Sequence, residues 1–137
     1  MSILRVIVAT FVLALAGAAP AHAVPGWTTL HNNGTDGLLL ACKIPESGGY
    51  GPVWKVHLVL TSSQTGRHTN ARVDVVRGNT LIGRRLMNTW WGGAWDQDIT
   101  YASRLFGDRL VGGHGFSDSR GAAGGNFDVT MPNVVLC

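Results

Sequence analysis

A chain of 137 residues with a formal net charge of +3 and 14% charged side chains lacks the basic surplus of a polyanion-binding protein, and 45% hydrophobic residues is too many for a disordered one. It is long enough for one domain and too short for two. Its basic residues are nearly all arginine, a compositional hint of a GC-rich bacterial source.

The first residues read as an export signal. Residues 1–5 carry one positive charge, residues 6–17 are apolar and uncharged, and Ala21-His22-Ala23 supplies the small-x-small pattern of a signal-peptidase site. The apolar run is too short to span roughly 30 Å of hydrocarbon. The expected organisation is a secretory signal peptide over residues 1–23 and a single secreted β-domain over residues 24–137. The product is extracellular and has no membrane association after cleavage.

Export changes the meaning of the cysteines. Cys42 and Cys137 are the only two, and outside the cytosol such a pair is expected to form a disulfide. Closing so long a loop removes roughly 4–5 kcal/mol of unfolded-state entropy on the chain-entropy model. Two cysteines this far apart have no zinc-ligand spacing, and no His-x-His or His-Glu-x-x-His pattern occurs, so no metal or other cofactor is expected.

Residues 27–31 open with a first short strand. Residues 32–37 are turn chemistry, and Asn33-Gly34-Thr35 also fits the N-glycosylation pattern. Residues 38–44 are nearly all apolar, contain Cys42 and read as a buried strand. Residues 45–52 read as a loop. Residues 53–61 alternate, with Trp54, Val56, Leu58 and Leu60 on a core face and Lys55 and His57 on the other. After a polar turn over 62–69 comes a hairpin, 71–77 and 80–87, around Gly78-Asn79. A two-residue loop beginning with glycine suits a tight primed turn. In that register Val73, Val75, Ile82 and Leu86 share the inner face, while Arg72, Asp74 and Arg85 share the outer one. Arg84 then points inward unless a bulge at Gly83 turns it.

Residues 95–101 alternate again, with Trp95, Gln97, Ile99 and Tyr101 on one face and Asp96, Asp98 and Thr100 on the other. Residues 104–111 are a further strand candidate and 112–125 a long loop with six glycines. Residues 126–131 and 133–137 are closing strands. The sum predicts an all-β fold, a small antiparallel β-sandwich or barrel of about eight strands tied by one disulfide.

The stretch 88–98, Asn-Thr-Trp-Trp-Gly-Gly-Ala-Trp-Asp-Gln-Asp, holds three of the five tryptophans. An indole face packs against the C–H-rich face of a sugar ring, while carboxylates and amides take its hydroxyls. Adjacent strand residues face opposite sides, so Trp90 and Trp91 do not both reach the core of an extended segment. If Trp95 is core, Asp96 and Asp98 lie outside, and only Trp90 or Trp91 joins them. Trp90, Trp91, Asp96 and Asp98 are therefore the candidate ligand-binding residues.

The leading expectation is a non-catalytic binding domain for a glycan or cell-wall polymer. A second is an interaction module, such as an inhibitor of a secreted protein partner, presenting the 45–52 or 112–125 loop. A third is a small hydrolase using Asp96 and Asp98, whose backbone separation of about 7 Å suits calcium or an acid–base pair. The Gly-x-Ser-x-Gly elbow is absent, since Gly115-Phe116-Ser117-Asp118-Ser119 ends in serine, and no catalytic residue is assigned. Five arginines against one acid between Arg67 and Arg85 form a basic stripe. Export argues against a nucleic-acid partner for it.

Overall fold

The computed structural model describes residues 26–34, 37–62, 68–89, 95–118 and 121–137. The strands are β1 (Thr28–Asn32), β2 (Leu38–Gly48), β3 (Gly51–Thr61), β4 (Thr69–Arg77), β5 (Thr80–Thr89), β6 (Trp95–Ser103), β7 (Arg109–Asp118) and β8 (Gly121–Thr130), followed by a 3-10 turn, Met131–Asn133. They form two four-stranded antiparallel sheets, ordered β1-β2-β3-β6 and β5-β4-β7-β8. The all-β class, the sandwich and the Cys42–Cys137 bridge are as the sequence predicts. The expected leader, residues 1–23, lies outside the described residues.

Alternation decides what meets between the sheets. Leu39 and Ala41 of β2 and Val56, Leu58 and Leu60 of β3 pack against Ala71, Val73 and Val75 of β4, with Met87, Leu110 and Phe127 beside them. Fully burying each large aliphatic or aromatic side chain among these contributes about 1.5–3 kcal/mol. The chain crosses between sheets after β3, β5 and β6, so β6 returns beside β3 and β7 beside β4. The two-residue turns at 49–50 and 78–79, the 104–108 loop and the 3-10 turn gather at one end. Arg104 N–H donates to Pro52 O, Arg109 reaches Gly78 O, and the Lys43 ammonium donates to Met131 O.

The β4–β5 hairpin turns where expected. Arg77 pairs with Thr80, and Gly78 takes φ 58°. The register then shifts between Val75 and Val76, which oppose Gly83 and Leu81, so Ile82 is the extra residue of a bulge. This sets Arg84 opposite Asp74, and its guanidinium donates to both carboxylate oxygens at 2.7 and 2.9 Å. It also corrects the expected inner face. Ile82 and Leu86 are exposed, while Met87 and Thr89 are buried and Arg85 shares their side.

The larger correction is the glycine-rich stretch. Residues 112–118 and 121–125 are not loop: they are strand, the larger part of β7 and half of β8. Gly112, Gly124 and Gly125 sit where backbone and rings approach too closely for a side chain. A Cβ on Gly112 would lie 1.8 Å from Arg72 O and 2.9 Å from Phe127 Cζ, and one on Gly125 would lie 2.3 Å from His31 Nε2. His31 in turn brings Nδ1 to 3.2 Å from Nδ1 of the buried His114.

Three boundaries also move. Most of 45–52 is strand, because β2 and β3 stay paired out to Gly48 and Gly51. The strand expected from 104 begins at Arg109. Residues 133–137 are a tail joined to β2 by a single parallel bridge, Lys43 to Leu136. β1 pairs with β2 only as far as Ala41, which leaves the next part of that edge to the tail. Lys43 N–H donates to Val135 O at 2.9 Å, Cys137 N–H donates to Lys43 O at 3.1 Å, and the bridged cysteines stand 4.9 Å apart at Cα.

Candidate functional site

β6 is an edge strand, so each of its side chains faces either the second sheet or solvent. Asp96 and Asp98 lie opposite Leu60 and Leu58 of β3, two core residues, and so face the second sheet. β5 lies across from them. The Asp96 carboxylate accepts a hydrogen bond from Asn88 N–H at 3.0 Å, and Asp98 stands 3.6 Å from Arg85 Nε. The Arg85 Nε–H donates to Ile99 O at 2.7 Å. Both candidate carboxylates thus belong to a seam between the sheets, with partners supplied by β5. Trp90 and Trp91 lie outside the described residues.

The other row of β6 carries Trp95, Gln97, Ile99 and Tyr101 on the outer face of the first sheet. The sequence groups these four together, and so does the structure. The sequence leaves open whether Trp95 is core or exposed; its indole is 64% exposed, with Tyr101 at 48%. Their β3 neighbours on that face are Thr61, Val59, His57 and Lys55. A concavity of about 550 Å³ lies here, lined by Trp27, His57, Val59, Gln97 and Ile99 together with backbone of neighbouring strand residues. Solvated sheet faces are ordinarily polar. This one sets Trp95, Ile99, Tyr101 and Val59 among Gln97, His57, Thr61 and Lys55. His57 Nε2 is buried and has no hydrogen-bond partner among the described residues.

A second concavity, about 660 Å³, lies on the outer face of the other sheet. Gly113 and Gly115 leave its floor without side chains, and Asn70, Arg72, Leu86 and Asn126 stand around it. Arg72 is held at 3.4 Å from Asp74. Its walls mix the amides of Asn70, Asn88 and Asn126 with Leu86 and Arg72, and no Trp, Tyr or Phe lines it.

No protein-family model, curated protein or solved structure matches the chain. Among the described residues no group of three or more His, Cys, Asp or Glu is placed to hold a metal ion. The arrangement offers rings, amides and pre-formed shallow surfaces. These suit recognition of an extended ligand.

Sequence reasoning passes over Trp27 and His57 as binding residues. Trp27 was read only as the start of a strand and His57 only as an outward residue of β3. Gln97 is legible as an amide beside the tryptophans, and it shares strand parity with Trp95 and Tyr101, so an exposed Trp95 brings Gln97 with it.

Proposed function

We propose that the chain is a secreted, non-catalytic binding domain that holds a glycan or cell-wall polymer along the outer face of its first sheet. The exposed Trp95 indole carries the reading, set in one row with Gln97, Ile99 and Tyr101. At the rise of a β-strand that row is roughly 20 Å long, the scale of an extended polymer segment rather than a single small molecule. An indole left in water is a large apolar area without a partner. A sugar ring covers such a face while its hydroxyls reach the exposed Gln97 amide. A disulfide between the two cysteines is in keeping with an oxidising, extracellular setting.

Retention on insoluble polysaccharides and purified cell walls tests this. Trp95→Ala and Tyr101→Ala should each weaken retention about tenfold, the effect of losing an anchoring ring. Leu86→Ala, on the opposite sheet, should leave it unchanged. Absence of retention across the panel, or retention indifferent to Trp95→Ala, rejects the reading. Trp90→Ala and Trp91→Ala in the same assay report whether that segment contributes.

One observation favours a second reading, a protein-interaction module. Leu105 and Phe106 project from the 104–108 loop, 69% and 55% exposed. A stoichiometric protein partner recovered from culture medium, and lost with Phe106→Ala, would favour it over the first.

A further inference from the structure

The inner row of β2 runs Leu39, Ala41, Lys43, so a lysine occupies a place in the core sequence of the strand. Lys43 is 7% exposed. Its ammonium has three donors. Met131 O accepts from one, and the Trp54 ring lies 4.5 Å from Nζ. The Arg104 guanidinium lies 4.8 Å from the same ring. No carboxylate is within ion-pair distance of Lys43 or Arg104 among the described residues. Burying a cation without a counter-ion is unfavourable, and burial lowers the Lys43 pKa below the ordinary lysine value.

These two cations open onto a cavity of about 730 Å³ at the turn-rich end of the sandwich. Its apolar walls are Trp54, Leu105, Phe106, Met131 and Pro132. Its lining includes one carboxylate, Asp108, which is already fully partnered. Asp108 accepts two hydrogen bonds from Arg77, at 2.8 and 3.1 Å, and a third from Ser103 N–H at 2.7 Å. Arg109, also on the lining, is paired with Asp128 at 2.6 Å. The positive charge left without a partner is that of Lys43 and Arg104, and both stand beside the same indole.

We propose that this cavity binds a small organic anion, with a carboxylate or phosphate group held between Lys43 and Arg104 and an apolar body against Trp54, Leu105 and Phe106. The anion supplies the counter-charge that the fold withholds from Lys43. The apolar body covers Leu105 and Phe106. The site is separate from the outer face of the first sheet, so it stands or falls independently of glycan binding.

The folded, disulfide-bonded chain is titrated with hexanoate, hexyl phosphate, inorganic phosphate and neutral hexanol, and binding is followed by amide and indole chemical shifts and by calorimetry. Hexanoate or hexyl phosphate should shift the signals of Lys43, the Trp54 indole and residues 104–108, and the tighter of the two identifies the head group. Arg104→Gln, an exposed substitution that leaves the core intact, should weaken that binding about tenfold. Lys43→Met should abolish it. Three results would overturn the proposal: no response to either anion up to about 10 mM, equal affinity in Arg104→Gln, or hexanol binding as tightly as hexanoate. Inorganic phosphate binding as tightly as hexyl phosphate would overturn the assignment of the apolar walls.

Discussion

Asp74 shows how one residue of register settles a charge. The bulge at Ile82 turns Arg84 from an inward misfit into the partner of Asp74. Hydrogen bonds from Arg84 hold the Asp74 carboxyl below its ordinary 3.8; burial opposes them, and the charges of Arg84 and Arg72 add to the lowering. The unfolded chain has no such partner, so it takes up its proton at higher pH than the folded one. The stability contributed by the pair is therefore complete above pH 3.8 and is lost as pH falls through the lower folded value. Asp74→Asn should cost about 1–2 kcal/mol near neutrality, the figure kept small because Arg84 is half exposed. Urea midpoints of the wild type and Asp74→Asn, measured from about pH 7 to about pH 2, should converge in acid. A constant gap would show that the ion pair is not the source.

At the scale of the strand, Gly112 is a tightly constrained position. Its Cβ would strike Arg72 O on the neighbouring strand, which has no flexible end to give way. Gly112→Ala should cost about 3 kcal/mol or more and separate β7 from β4. Gly107→Ala, where nothing lies within 4 Å of the new carbon, should stay within about 0.5 kcal/mol of wild type. Thermal melting followed by circular dichroism distinguishes the two. The same glycines explain what the sequence hides. Strand 53–61 and the turn at Gly78-Asn79 are legible because alternating large residues and a positive-φ glycine leave a local signature. In 112–125 half the face-marking side chains are missing, so the period of two disappears and a hairpin reads as a loop. For β6 the sequence groups Trp95, Gln97, Ile99 and Tyr101 correctly, but parity does not say which row faces the core. That depends on β5 lying across the strand to meet Asp96 and Asp98 with Asn88 and Arg85, a contact no local pattern encodes. The groove at Trp27 and His57 and the cavity at Lys43 and Trp54 were equally hidden, since each joins residues distant in sequence.

For the whole molecule, the Cys42–Cys137 bridge closes a separation of 95 residues and fastens the tail to the middle of the first sheet. On the chain-entropy model its removal costs about 4–5 kcal/mol. Reduction, or the paired Cys42→Ala and Cys137→Ala substitutions, should lower the unfolding free energy extrapolated from urea titration by that amount. His57 lies opposite Cys42 on the outer face, so opening the bridge should also weaken polysaccharide retention. Unchanged stability would mean that the tail's hydrogen bonds to Lys43 hold it without the disulfide.

The seam between β5 and β6 bears on self-association. Both are terminal strands of their sheets, and a bare terminal strand is a template on which another chain can add. Here Ile99 O is taken by the Arg85 guanidinium and Asn88 N–H by the Asp96 carboxylate. Each sheet thus uses a side chain to occupy a backbone group on the other's border. With those groups taken, Arg85 and Asp96 leave the two borders fewer open backbone sites for the edge of another copy.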